Sequence, residues 1–92
     1  MADQIRLDKW LWQARFFKSR TLATAFVADG HLRLNGQPMA KAAHPVQAGD
    51  VLTFASGRDV QVIRILACGT RRGPAIEART LWQPVNASGT GQ

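Results

Sequence analysis

Three consecutive residues, Lys18-Ser19-Arg20, carry the first chemistry in the sequence. The run that follows, TLATAFVA, has the spacing of a short helix ended by Asp29-Gly30, with Leu22, Ala23, Phe26 and Val27 facing inward. Ser19 is a good N-cap and Gly30 offers the left-handed residue that stops a helix. Two cations therefore stand at the positive end of a helix dipole, a misplacement of roughly 0.3 to 1 kcal/mol per exposed charge. A bound phosphate reverses the sign, because free backbone N–H groups, a hydroxyl and two cations together make an anion pocket.

Other chemistry is sparse. His31 and His44 are the only histidines and Cys68 the only cysteine, and no carboxylates are paired at a recognisable spacing. These residues form no triad, zinc set or acid/base pair, and the histidines read as exposed polar residues of a strand and a loop. There is no glycine-rich phosphate loop. No catalysis, cofactor or metal is expected. Arg71-Arg72, in the Gly-flanked loop CGTRRG, is a second phosphate candidate or else a solvated loop. Trp12 and Phe16, read as one helical turn apart beside Lys9 and Arg15, either stack on unpaired bases or pack in the core; packing is the preferred reading.

Charge narrows the partner. The chain has 92 residues, 46% of them hydrophobic, which suits one small domain, and 12 Lys plus Arg against 6 Asp plus Glu give +6. A pI of about 11.2 favours a polyanion, either nucleic acid or an anionic membrane surface. No acidic residue falls between Lys9 and Ala28, so the positive field concentrates there. One cysteine permits no internal disulfide, and the opening MADQIR lacks the apolar run of a signal peptide, so a cytoplasmic location is expected. No apolar segment approaches the roughly 20 residues that cross a bilayer.

The elements that must position these residues follow from periodicity. Leu7, Trp10, Leu11, Ala14 and Phe17 recur at helical spacing in LDKWLWQARFF, with Asp8 as cap or first-turn carboxylate. After the second helix, His31 to Leu34 alternate, Asn35-Gly36 signals a tight hairpin, and Pro38 marks an edge or irregular return strand. A loop holds His44-Pro45, and Ala48-Gly49-Asp50 turns into VLTF. The turn Ser56 to Asp59 joins VLTF to VQVIRIL. Pro74 opens a short helix, AIEARTLW, closed by Pro84, with a final short strand as the alternative. The order predicts an α+β domain over residues 1–84, two N-terminal helices packed on a small, mostly antiparallel sheet, with a disordered tail at 85–92.

The run RLDKWLWQARFFKSRTLATAFVADGHLRLNGQP, followed by AGDVLTF, resembles the S-four RNA-binding domain, or alpha-L motif. The marks are Arg6-Leu7-Asp8, Lys18-Ser19-Arg20, Gly30, Leu34-Asn35-Gly36 and Gly49-Asp50, specific over residues 6 to 54 and loose over 60 to 83. Asp8 to Trp12 and Ala14 to Phe16 are most similar to a small bacterial, ribosome-associated heat-shock branch of that family. The resemblance implies a protein that binds structured rRNA or tRNA on the large ribosomal subunit, in rescue or recycling of stalled nascent chains under stress, and a monomer is expected. It assigns Arg6, Lys9, Arg15, Lys18, Ser19, Arg20, Arg33 and Lys41 to RNA contact, with Asp8 orienting a neighbouring cation or capping helix one. That branch continues into a long charged C-terminal extension, whereas this chain ends soon after Trp82 in a neutral tail, as a compact or shortened relative would. Rival readings are an RNA-delivery module for a separate modifying enzyme and a general binder of polyanions, DNA or anionic lipid included.

Overall fold

In the computed structural model, which describes residues 3–56 and 59–85, a short strand, β1 (Gln4–Arg6), runs directly into helix α1 (Leu7–Gln13). Helix α2 (Arg20–Ala28) follows, then the hairpin β2 (Leu32–Leu34) and β3 (Gln37–Met39). Strand β4 (Pro45–Gln47), the long pair β5 (Val51–Ser56) and β6 (Asp59–Ile65), helix α3 (Ala75–Ala78), a 3-10 turn (Arg79–Leu81) and β7 (Trp82–Pro84) complete the chain. The main sheet is antiparallel in the order β3-β2-β5-β6-β7. The expected α+β architecture of two helices on a small antiparallel sheet is what forms.

The pleat sorts the side chains. Leu32, Leu34, Leu52, Phe54, Ile63 and Ile65 point inward from three adjacent strands, where Leu7, Trp10 and Leu11 of α1 and Ala23 and Val27 of α2 cover them. Asn35 and Gly36 both have positive φ, at 53° and 83°, the geometry that a two-residue hairpin of this twist demands. Pro38 sits in β3 at the sheet edge, where its missing N–H costs no ladder bond.

Four expectations need correction. Helix one stops at Gln13 rather than running to Phe17, because Arg15 takes φ 67° and the N–H groups of Arg15 and Phe16 bond back to Trp12 and Leu11 carbonyls. That is a Schellman ending with arginine where glycine is usual, so the composition gave no stop signal. Trp12 and Phe16 consequently do not share a helical face. Leu22, expected inside, is 53% exposed.

The segments read as an N-terminal lead and a loop at His44-Pro45 pair instead: β1 and β4 form a two-stranded antiparallel sheet with Ile5 opposite Val46. Three residues each are too few to show alternation. Finally, AIEARTLW is not one helix, the alternative of a short final strand being realised from Trp82. It divides into α3, the 3-10 turn and β7, since Ile65 pairs with Trp82 on the free edge of β6 and draws it into extended backbone. The Val85 N–H also bonds the Val62 carbonyl at 2.7 Å, so the ladder reaches one residue beyond 84. The turn at 57–58 and the expected tail at 86–92 lie outside the described residues.

Candidate nucleic-acid interface

Asp8 is the hub. Placed in the first turn of α1, its side chain is 1% exposed, and a buried carboxylate requires several partners to hold its charge. The Arg6 guanidinium supplies a two-pronged contact, Nε to Oδ1 at 3.1 Å and Nη2 to Oδ2 at 3.0 Å. The Thr24 hydroxyl of α2 donates to Oδ2 at 2.8 Å, the Lys9 N–H donates to Oδ1 at 2.7 Å, and Arg20 Nη2 stands 3.8 Å from Oδ1. Burial works to raise the Asp8 pKa, but the hydrogen bonds from Arg6 and Thr24, with the Arg6 charge, outweigh it and hold the carboxyl below its usual value.

The consequence concerns the cations. Arg6 and Arg20 are 50% and 43% exposed while Asp8 is not, so each guanidinium is anchored on its inner side and presents its remaining N–H groups to solvent. A third segment joins them: the α1 N-terminus donates from Leu7 N to the His44 carbonyl at 3.0 Å and from Asp8 N to the Ala42 carbonyl at 3.1 Å, which fixes the loop that carries exposed Lys41. Arg6 and Arg20, far apart in sequence, thus flank one buried charge, and the backbone of the 41–44 loop is bonded to the helix start that carries it.

At the start of α2, Ser19 caps as expected: its Oγ accepts the Leu22 N–H at 3.1 Å, and the backbone enters from extended geometry. The N–H groups of Arg20 and Thr21 precede the first intrahelical donor, Ala23, whose N–H bonds the Ser19 carbonyl, and are free for an anion. Lys18 is exposed and enters none of the ion pairs among the described residues. Of the sequence candidates, Arg6 and Arg20 are brought together on Asp8, with Lys18 and Ser19 at the start of α2 and Lys41 on the loop bonded to α1.

The other sequence candidates go elsewhere. Lys9 is half-buried at the wall of an open groove of about 690 Å3 beside Gln13, Cys68 and Thr70. Arg33 lies on β2 between the inward Leu32 and Leu34 and points to the opposite face of the sheet, where it reaches the Gly36 carbonyl at 3.5 Å. Arg15 Nε donates to the Gly73 carbonyl at 2.7 Å. Arg72 is committed to structure: it donates to the Trp12 carbonyl at 3.0 Å and the Phe17 carbonyl at 3.4 Å, and its guanidinium lies 5.6 Å from the centre of the Trp12 ring. Arg71 pairs with Glu77 at 2.8 Å. Phe16 packs among Trp10, Phe54 and Trp82 with ring centres 5.0 to 6.0 Å apart, and Trp12 is half-buried under Arg72. Sequence reasoning missed Thr24, which no local signal marks, because its role depends on α2 crossing α1.

Among the described residues no group of His, Cys, Asp and Glu is arranged to hold a metal, and no helix is long and apolar enough to cross a membrane.

A two-helix unit with clustered cations at its helix starts, followed by a tight hairpin, defines a known class. The S4 domain family model matches residues 5–52, more than half of the chain, and the protein belongs to that family. The chain is 39% identical over 85 residues to the heat shock protein 15 homolog of Haemophilus influenzae, covering 92% of this chain and 64% of that protein. It is 38% identical over 61 residues to the RQC P-site tRNA stabilizing factor of Bacillus subtilis, covering 66% of this chain and 70% of that protein. The trimeric structure of Vibrio cholerae heat shock protein 15 superposes with a TM-score of 0.86 at 40% identity, over 94% of this chain and 86% of that one. The chain thus spans about two-thirds of the length of the heat shock protein 15 relative from Haemophilus influenzae.

Proposed function

We propose that this protein binds structured RNA, gripping phosphates of rRNA or tRNA at the ribosome, and performs no catalysis. The observation that carries the reading is the convergence of Arg6, Arg20 and the Lys41 loop on buried Asp8, beside the Lys18-Ser19 helix start. Such a surface holds cations in fixed positions without neutralising them at the exposed edge. Shape and backbone charge are what it can read, so affinity is mostly electrostatic and base selectivity slight outside any stacking site.

The relatives support a finer assignment. One is named for stabilising P-site tRNA and others as heat shock protein 15, which supports RNA binding at the ribosome; we go further and propose a cytoplasmic protein that acts on large subunits carrying a stranded nascent chain. We place it there as a monomer; a trimer in solution would revise that part alone. The test is competition between bulk tRNA, duplex DNA and anionic lipid vesicles at matched salt, followed by sedimentation with large subunits that carry peptidyl-tRNA. Tighter binding to tRNA and co-sedimentation are expected. Equal affinity for the three polyanions would overturn the RNA assignment, and an RNA-modifying enzyme that stays bound after RNase treatment would make the protein a delivery module instead.

A further inference from the structure

Helix α2 carries the disfavoured charge at both of its ends. Lys18 and Arg20 stand at the positive end of its dipole, and Asp29, the C-cap, stands at the negative end. Between them runs a groove of about 440 Å3 lined by Phe17, Leu22, Phe26, Asp29, His31 and Ala55. Leu22, Phe26 and Asp29 follow at helical spacing, so the groove lies along one stripe of α2 from the cationic end to the acidic end.

The groove is apolar but not covered. Leu22 is 53% exposed, although it sits one turn from the cap and its own N–H bonds Ser19. The Phe26 ring is set between Phe17 and His31, with centres 5.0 and 5.3 Å away, and edge-on to Phe54 at 6.0 Å. That gives a faceted aromatic wall, its rings tilted by 41° to 51° and held in place by neighbours on several sides. Phe17, on the groove wall, adjoins Lys18 in the chain, and Ser19, Leu22, Phe26 and Asp29 fall on one helical stripe, so the wall begins beside the start of α2.

We infer that the groove seats the unpaired base of a nucleotide whose phosphate lies on Lys18, Ser19 and Arg20, a deepening that rests on the RNA reading above. The ends match such an occupant in charge: cations meet the phosphate, and Asp29, which can only accept hydrogen bonds when ionised, meets N–H groups on the base edge. Guanine fits best, because its N1–H and N2–H donors lie side by side, whereas uracil offers one N–H. From Ser19 to Phe26 the helix rises about 10 Å, comparable with one nucleotide from its phosphate to the far edge of its base. The volume falls within the roughly 300 to 1,000 Å3 of small-ligand sites.

The test is an NMR titration of the full chain with GMP, UMP and inorganic phosphate, following the Leu22 methyls, the Phe26 and His31 rings and the Lys18 to Arg20 amides. GMP is expected to shift both sets and phosphate only the amides, with GMP bound more tightly than UMP. His31→Ala should weaken GMP about fivefold or more, the effect of losing one stacking partner. Asp29→Asn should erase the preference for GMP over UMP. Shifts by GMP confined to Lys18 to Arg20 would overturn the groove while leaving RNA binding intact. Groove shifts that follow protein concentration without nucleotide, together with a rise in mass, would assign the groove to a second copy and overturn the inference. Undiminished tRNA binding in the Lys18→Ala/Arg20→Ala variant would instead overturn the reading on which it rests.

Discussion

Two arginine-rich regions of this small protein use the same side chain in opposite ways. Around Asp8, Arg6 and Arg20 lean on a buried carboxylate and keep their outer N–H groups in water, with Lys18 beside them. Around residues 71 to 73, Arg15 and Arg72 spend donors on main-chain carbonyls and tie the loop before α3 to the end of α1. The difference lies in the acceptor. A carbonyl buried under a loop consumes the guanidinium, while a carboxylate set behind it leaves the outer edge free and fixes where it points. Clustered positive charge in sequence is therefore not by itself a binding surface.

The largest test of this contrast is Asp8→Asn. It removes the buried charge that positions Arg6 and Arg20, at a cost of about 1 to 3 kcal/mol of stability, with weaker tRNA binding alongside. Because the native carboxyl titrates below its usual value, its stabilisation is present above the unfolded pKa of about 3.9 and is lost as pH falls through the lower native value. Denaturant melts should accordingly show the wild type losing its advantage over Asp8→Asn below about pH 4. An advantage that stayed constant as the pH fell from about 5 to well below about 4 would show that Asp8 does not carry it.

Next in size, Arg72→Ala should cost about 1 to 2 kcal/mol, because two carbonyl contacts and the stack on Trp12 go together. Its tRNA affinity should be unchanged; a loss greater than that of the Asp8 variant would reverse the comparison. Lys18→Ala should leave the melting temperature constant or slightly raised, adding Arg20→Ala should lower it modestly because Asp8 loses a partner, and the double variant should lower the salt slope of tRNA binding by about one unit per lost phosphate contact. Smallest of all, Arg71→Ala breaks an exposed pair with Glu77, for a loss within about 0.5 kcal/mol in thermal melts.

Much of the fold is written locally. Ser19 and Gly30 bracket α2, Asn35-Gly36 turns the hairpin, and the alternation of Leu32, Arg33 and Leu34 assigns the faces of β2, because caps, left-handed residues and pleat act over a few residues. Where the reading went astray, a distant contact had decided the matter. Arg15 ends α1 in a conformation usually left to glycine, and its side chain is bonded to Gly73, 58 residues away. Trp82 leaves the expected helix because the edge of β6 offers it a ladder. Phe26, placed inside by its spacing, is only half-buried, since the groove beside it stays open.

The sequence by itself determined that cations gather before Ala28, that α2 begins at a capped, positively charged end, and that the domain is α+β. Only the tertiary structure decided which cations act together. Arg6 and Arg20 meet because α1 and α2 pack around one buried carboxylate, with the loop that carries Lys41 bonded to the start of α1, while Arg33, Arg71 and Arg72 are turned to another face, to Glu77 or to main-chain carbonyls. A charge is specified by its residue, but whether it is available depends on what lies within about 4 Å of it, and that is set by the packing of segments remote in the chain.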